Sequence, residues 1–531
     1  MRKTFSYIDE ILPYDVVLLG LSPILVGSFI DWDLVDFRYI FINLLWILPF
    51  TLTASGLRSS IPIKIGSIFI FISGCMEIAH WLIVKGPIST ASLLTLLATN
   101  FEESKSFLAL QGLLPFLILI PYLVLFLFSL RRKRVFIQDK FKFWVISVFA
   151  LVFIAFTCEN AFHQRFIRKA TPQFVKTLFS FSEQYGFFKQ TEGNTVRKVQ
   201  ANKIDNQGSI FVLILGESLN RSHLSLYGYP RPTTPKLEKR QDIYVFRDVV
   251  SPYSNTINSV LSLLTESNLE NQKKPLESID VFDIFSSAGY QTYWLSNQPP
   301  YGIWENKVTT LGKKAQHVQF LNLASNSSME ATLAASYDEK VLLPFQKILS
   351  QQVNNQFIVI HLMGNHTAYE KRYPSSFSIF SGNTSKEKTI AAYDNAVLYN
   401  DFVVDSLLHI LQQYSESTNK IVSAIYLSDH GENVYDENDV VGHVYAGKLP
   451  KANVEIPLIL WLSDAYKHKY PQKIPLIEQN LNAPYVSDDL FYSILDLNQI
   501  QTPLFEPSRS IFHKQFNAQR KRILEDGFDY D

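Results

Sequence analysis

Ser209-Ile210-Phe211-Val212-Leu213-Ile214-Leu215-Gly216-Glu217-Ser218 is an apolar run of strand length that stops in a glycine, a carboxylate and a hydroxyl. The pattern recurs twice downstream. Residues 357–360 lead into His361 and then Gly364-Asn365-His366, and residues 424–427 lead into Ser428-Asp429-His430-Gly431-Glu432. Short apolar runs between polar connections predict buried strands of an α/β domain. In an open sheet of that kind, the carboxyl ends of the strands line one crevice where ligands bind, so the three polar clusters are expected to meet. Singly, each has a plainer reading as a solvated Glu, a turn or a hydrogen-bonded His. Together, carboxylate and imidazole suit zinc, whose catalytic sites keep one position open.

A nucleophile for such a centre is offered by residues 251–260. Its Pro252, Asn255 and serines read as a loop, and Ile257, Val260, Leu261, Leu263 and Leu264 read as the apolar face of a helix that follows. Thr256 then sits at the helix N-terminus, either as a simple cap or as a hydroxyl placed where backbone N–H groups favour a phosphoryl anion.

Outward from this domain the composition changes. Apolar stretches at 16–30, 38–54, 65–84, 107–130 and 143–158 predict five membrane spans. Arg2 and Lys3 precede the first, and no small-residue cleavage site follows it, so it reads as an uncleaved anchor. Arg131, Arg132, Lys133, Arg134, Lys140 and Lys142 follow the fourth span, and Arg58 and Lys64 follow the second, marking the cytoplasmic side. Asp31, Asp33 and Asp36 occupy the first connection. An odd number of spans then puts everything after Cys158 outside, which in a Gram-negative cell is the periplasm. The expected division is a five-span domain over 1–158, interfacial helices and linker over 159–205, and a catalytic domain over 206–531.

Two membrane features stay open. Glu77 and His80 share one helical face of the third span, as a hydrogen-bonding pair or as a contact for a headgroup. Between 159 and 200, Phe162, Phe166, Phe174, Phe181, Tyr185 and Phe187 alternate with Arg165, Arg168, Lys169 and Lys176, which suits interfacial helices or ordinary packing under the next domain. Formal net charge is zero, so no basic field points to nucleic acid. Cys75 and Cys158 are the two cysteines, both within apolar runs, so residues 206–531 have no thiol for a disulfide.

Gly216-Glu217-Ser218-Leu-Asn-Arg221, Ser225-Leu-Tyr227-Gly228-Tyr229-Pro-Arg231-Pro-Thr233-Thr234-Pro235, His361-Leu-Met-Gly364-Asn365-His366, Tyr373-Pro374, Tyr393-Asp394-Asn395 and Ser428-Asp429-His430-Gly431-Glu432 with Gly442-His443 occur in order. This series resembles the bacterial phosphoethanolamine transferases that modify lipopolysaccharide, over nearly the whole chain. The resemblance implies an alkaline-phosphatase-like (sulfatase) fold with one zinc ion or two. It assigns Glu217, Thr256, Asp429 and His430 to the metal, and His366 and His443 to the substrate phosphate or a second metal. It also implies that Thr99 and Glu103 reach the site from the membrane surface; Thr95 stands where the family commonly has Asn. Many lipid A-directed members carry disulfides that this chain lacks, and the phrasing of residues 225–235 and 431–443 looks nearer the core-heptose branch.

By that resemblance, Thr256 takes phosphoethanolamine from phosphatidylethanolamine and passes it to lipopolysaccharide, in a monomer of the inner membrane. A phosphoglycerol transferase acting on an envelope polymer is the rival enzyme. A transporter or a tethered binding protein is the rival of another class, though few charges lie in the spans.

Overall fold

The computed structural model describes residues 14–30, 60–84, 114–132 and 196–531, except 206, 301–305, 323–335, 438, 440 and 444–448, with scattered positions between 40 and 47 and at 88, 93, 144, 148, 174, 177 and 178. The chain forms two compact units, Met1–Lys189 and Gln190–Asn322 with Ala335–Asp531.

In the second unit a seven-stranded sheet is built from β1 (Ser209–Gly216), β2 (Ile243–Phe246), β3 (Gln291–Ser296), β4 (His317–Phe320), β5 (Gln356–His361), β6 (Ile421–Ser428) and β7 (Leu458–Leu462). Their order is β2-β7-β6-β1-β5-β3-β4. Neighbours from β6 to β4 run parallel, and β7 is antiparallel to both β6 and β2. Every residue of β1 and β6 is buried, because helices cover both faces. Phe211, Leu213 and Leu215 face a core that includes helices Thr256–Leu264, Val281–Ser287 and Leu490–Leu497. Ile210, Val212 and Ile214 face helices Leu342–Ser350 and Ser385–Thr418. The alternation is the two-residue period of a strand.

Register positions the site. Gly216 of β1 pairs with Ser428 of β6, and Leu215 pairs with His361 of β5, so the three strands end level with one another. The 34-residue helix Ser385–Thr418 starts in a capping box of Thr384 and Glu387 and ends at Asn419 in the left-handed conformation.

With no cysteine in this unit, its outer segments are pinned by ion networks. Arg520 meets Asp488 (2.8 Å), Asp489 (2.7 Å) and Glu270 (2.9 Å), and Arg509 meets Asp489 (2.8 Å). Lys314 lies 2.5 Å from Asp280 and 2.6 Å from Asp283. Arg197 joins Asp283, and Asn202–Lys203 pairs with Ile500–Gln501. These contacts place residues 196–205, expected to be linker, in the second unit.

The first unit contains apolar helices Tyr14–Ile30, Ile61–Val84 and Leu114–Arg131. They coincide with the first, third and fourth expected spans, shifted at their ends. Lys64, expected in a loop, is in the first helical turn, where its stem can carry the ammonium back to water. By length and composition, Ile61–Leu82 suffices to cross a membrane, while the other two apolar helices are shorter. Most of the second and fifth expected spans, and the aromatic-basic stretch around Phe166, lie outside the described residues.

Asp15 pairs with Arg132 at 2.5 Å, and Ser67 bonds Ser129 at 3.2 Å. The first two helices therefore start at the level where Leu114–Arg131 ends. Pro23 cannot donate to the Leu19 carbonyl, which instead accepts the Tyr122 hydroxyl at 3.1 Å.

Candidate active site

Glu217 follows the last residue of β1 and is 1% exposed. Ser218 has φ +53°, a strained value for a serine that persists because three contacts fix it. Its N–H donates to Asp429 Oδ1 (3.1 Å), its hydroxyl to Glu217 Oε1 (2.9 Å), and its carbonyl accepts the Tyr393 hydroxyl (2.8 Å). Gly364, φ +55°, passes so close that a Cβ would come within 2.7 Å of the Glu217 backbone, so glycine is required twice over.

Asn255, not Thr256, caps helix Thr256–Leu264, its side chain accepting from Asn258 N–H at 3.1 Å. Thr256 is the first helical residue and is free to aim inward. Its Oγ1 lies 3.1 and 3.3 Å from the two Glu217 oxygens and 3.3 Å from His430 Nε2. His430 Nδ1 is 2.7 Å from the Gly431 carbonyl, to which it donates, and this leaves the Nε2 lone pair facing Glu217 (3.4 Å) and Asp429 (3.5 Å).

Glu217, Asp429 and His430 offer ligand atoms within 4.8 Å of one another, and all three are buried. Among the described residues Asp429 Oδ2 has no hydrogen-bond partner. Burial and the Glu217 charge push the Asp429 carboxyl well above its ordinary range. Burial also opposes the Glu217 charge, but the His430 hydrogen bond and charge outweigh it and hold Glu217 low. His430 is raised against burial by Asp429 and Glu217. Two buried carboxylates thus compete for one imidazolium proton. A divalent cation satisfies the same excess charge, and one imidazole nitrogen, two carboxylates and a hydroxyl oxygen match the donor set of zinc.

A second group, His430, Glu432 and His443, adjoins the first. Glu432 is buried between the Tyr369 hydroxyl (2.6 Å) and His443 Nδ1 (2.9 Å), and the His443 ring centre lies 4.7 Å from that of His430. The carboxylate fixes the tautomer of His443 and turns Nε2 outward. His366 is carried on the Gly364 loop, and burial lowers its imidazole to about 4 despite the Glu217 charge, so it is neutral near pH 7. Its Nδ1 is buried without a hydrogen-bond partner among the described residues.

The structure therefore brings Glu217, Thr256, Asp429 and His430 together, with His443 beside His430. Thr99 and Glu103 lie outside the described residues, as does Thr95. Several positioning groups were not singled out from sequence. Glu432 closes the Ser428–Glu432 motif, and its place two residues beyond His430 is a usable signal. Asp338 accepts from Met363 N–H, Gly364 N–H and Asn297 Nδ2, each at 2.8 Å, and so holds the His366 loop. Gln298 Nε2 donates to the Leu362 carbonyl (3.0 Å) and lies 3.5 Å from Glu217. Glu525 accepts from Ser254 N–H at 2.8 Å and from the Ser254 hydroxyl, two residues before Thr256. Nothing in the spacing of the sequence announces these last three.

The sulfatase family model matches residues 209–500, more than half the chain. The chain belongs to the sulfatase family. Its sulfatase unit resembles the crystal structure of the C-terminal periplasmic domain of EptC from Escherichia coli in complex with Zn, at TM-score 0.57 and 29% identity, over 63% of this chain and 94% of that one. Phosphoethanolamine transferase EptC of Escherichia coli K12 is 28% identical over 92% of this chain and 89% of its own length. The integral membrane protein lipooligosaccharide phosphoethanolamine transferase A of Neisseria meningitidis matches 94% of this chain and 98% of its own at TM-score 0.52; at 17% identity this speaks to fold alone.

Proposed function

We propose that this sulfatase-family protein is a zinc-dependent phosphoethanolamine transferase that moves the group from phosphatidylethanolamine to lipopolysaccharide through Thr256. The observation that carries the reading is the Thr256 hydroxyl, at the first position of a helix and 3.1 to 3.3 Å from Glu217 and His430. Phosphoethanolamine transferase EptC of Escherichia coli, alike over 92% of this chain, supports the transferred group.

Glu217, Thr256, Asp429 and His430 would hold the metal. When bound, zinc neutralises phosphoryl oxygens and lowers the pKa of a nearby hydroxyl. In the first half-reaction Thr256 Oγ1 bonds to the donor phosphorus as the bond to diacylglycerol oxygen breaks. The Thr256 proton leaves and one proton reaches the departing oxygen. His443, oriented by Glu432, exchanges protons with leaving group and acceptor, and neutral His366 contacts the phosphate. In the second half-reaction an acceptor hydroxyl or phosphate oxygen attacks the same phosphorus and frees Thr256.

The wider assignment is a five-span inner-membrane anchor at 1–158, interfacial segments at 159–205 and a periplasmic catalytic domain at 206–531, working as a monomer. Thr99 and Glu103 would contact substrate, and the acceptor would be a core sugar in preference to lipid A. No observation favours the phosphoglycerol alternative.

The decisive experiment incubates the full chain with phosphatidylethanolamine and weighs its peptides. A phosphoethanolamine adduct on Thr256 is expected, and Thr256→Ala should lose it with at least a ~1,000-fold fall in transfer. Transfer undiminished in Thr256→Ala would refute the nucleophile; a phosphoglycerol adduct would refute the donor.

A further inference from the structure

Within the first unit, helices Tyr14–Ile30 and Ile61–Val84 border a cavity of about 580 Å³. Its long wall is one stripe of the second of these helices, from Pro62 through Ile65, Phe69 and Ser73 to Glu77. These positions recur every three or four residues and so share a face. At ~1.5 Å per residue the stripe runs roughly 22 Å, most of the ~30 Å depth of a hydrocarbon layer. Gly20 and Pro23 form part of the facing wall.

The polar groups along this trough are mostly occupied. Asn43 Nδ2 donates to the Gly20 carbonyl (3.1 Å), and the Ser73 hydroxyl donates to the Ile70 carbonyl (3.0 Å). Glu77 is the one ionisable side chain among the described lining residues. It accepts the Phe174 backbone N–H, which leaves a further carboxyl oxygen lone pair open to a second donor. Beside it the Phe174 ring meets Phe69 edge-on at 6.1 Å. An apolar channel of acyl-chain length, headed by one carboxylate and two aromatic rings, is complementary to a lipid whose head carries a cation.

We infer that this cavity is a lipid site for phosphatidylethanolamine from the surrounding bilayer, with an acyl chain along the Ile65–Phe69–Ser73 stripe and the primary ammonium against Glu77. The inference rests on the proposed membrane residence and donor, and extends them by assigning a lipid site in the first unit. Placing Lys64 at the cytoplasmic end sets Glu77 toward the outer leaflet. A phosphatidylglycerol head has no ammonium, so it fills the trough without satisfying Glu77.

The test uses the full chain carrying Thr256→Ala, so that bound lipid is not consumed, in nanodiscs of equal phosphatidylethanolamine and phosphatidylglycerol. Native mass spectrometry after extraction should find phosphatidylethanolamine retained roughly tenfold over phosphatidylglycerol, a difference of ~1.4 kcal/mol. Glu77→Gln should erase the preference, and Ser73→Phe should lower retention of both lipids. A preference that survives Glu77→Gln overturns the inference. On the protein without changes at 73 or 77, a photoreactive acyl phosphatidylethanolamine should label Ile65, Phe69 and Ser73 above Ile68 and Ile72, which do not line the cavity. Even labelling of the two faces also overturns it. Because binding is read without turnover, failure of transfer would count against the proposed function and leave this result standing.

Discussion

Asn255 and Thr256 divide between two neighbours the tasks that sequence alone left on one residue. Asn255 caps the helix, so Thr256 need not turn its hydroxyl back onto the backbone. Asp338 works at the same scale from further away. Its carboxylate accepts two backbone N–H groups of the loop that carries His366. Asp338→Asn puts an amide donor against one of those donors, so a loss of about 2 kcal/mol in stability is expected, with a fall in transfer. Denaturant titration and turnover of the same preparation check both; unchanged turnover would remove Asp338 from the positioning set. The ligands were legible because strand ends announce themselves as apolar runs broken by Glu217, His361 or Asp429. Asp338 was not, since an acid in an unremarkable stretch becomes important only through a loop 25 residues on.

At the scale of elements, the short hairpin Asn433–Val434 with Val441–Gly442 presents His443, and it is tied back by His223. His223 lies 2.7 Å from Asp394 and 3.0 Å from Asp436. Burial would lower this imidazole, but the two carboxylates outweigh burial and raise it to about 9. The folded value exceeds the unfolded one, so the protonated form stabilises the fold. That contribution is complete below about pH 6.5 and is lost as pH rises through about 9. The stability gap between wild type and His223→Gln should therefore shrink across this window; a gap constant from pH 6 to 10 would contradict the assignment.

A second element, the segment around Glu525, braces the loop before Thr256. Glu525→Ala should reduce kcat about tenfold with KM and unfolding temperature nearly unchanged, and Glu525→Gln, which still accepts from Ser254, should restore most of it. Equal loss in both variants would show that the charge matters more than the brace. The parallel strands β1, β5 and β6 were readable from hydrophobicity. The brace was not, because it joins residues 271 apart.

For the molecule as a whole, the metal centre and the fold depend on each other. Glu217 and Asp429 are buried side by side, and removing a bound cation leaves their repulsion to the protein alone. Chelation should abolish transfer and lower the unfolding temperature, and zinc at a hundred times its Kd should return about 2.7 kcal/mol. Calorimetry with and without chelator decides it; an unchanged transition would mean that the buried acids do not hold a metal. The apolar helices of the first unit were legible as apolar stretches, whereas the trough between them was not, because a cavity depends on what neighbouring helices leave unfilled.

The outer segments held by Arg509, Arg520 and Lys314 carry a physiological consequence. Ion pairs are indifferent to thiol oxidants and reductants, so this unit matures without a disulfide-forming pathway and keeps its shape in a reducing medium. Its exposure is to acid, where Glu270, held below its ordinary range against burial by Arg520 and Arg509, gains a proton and its share of the stitching loosens.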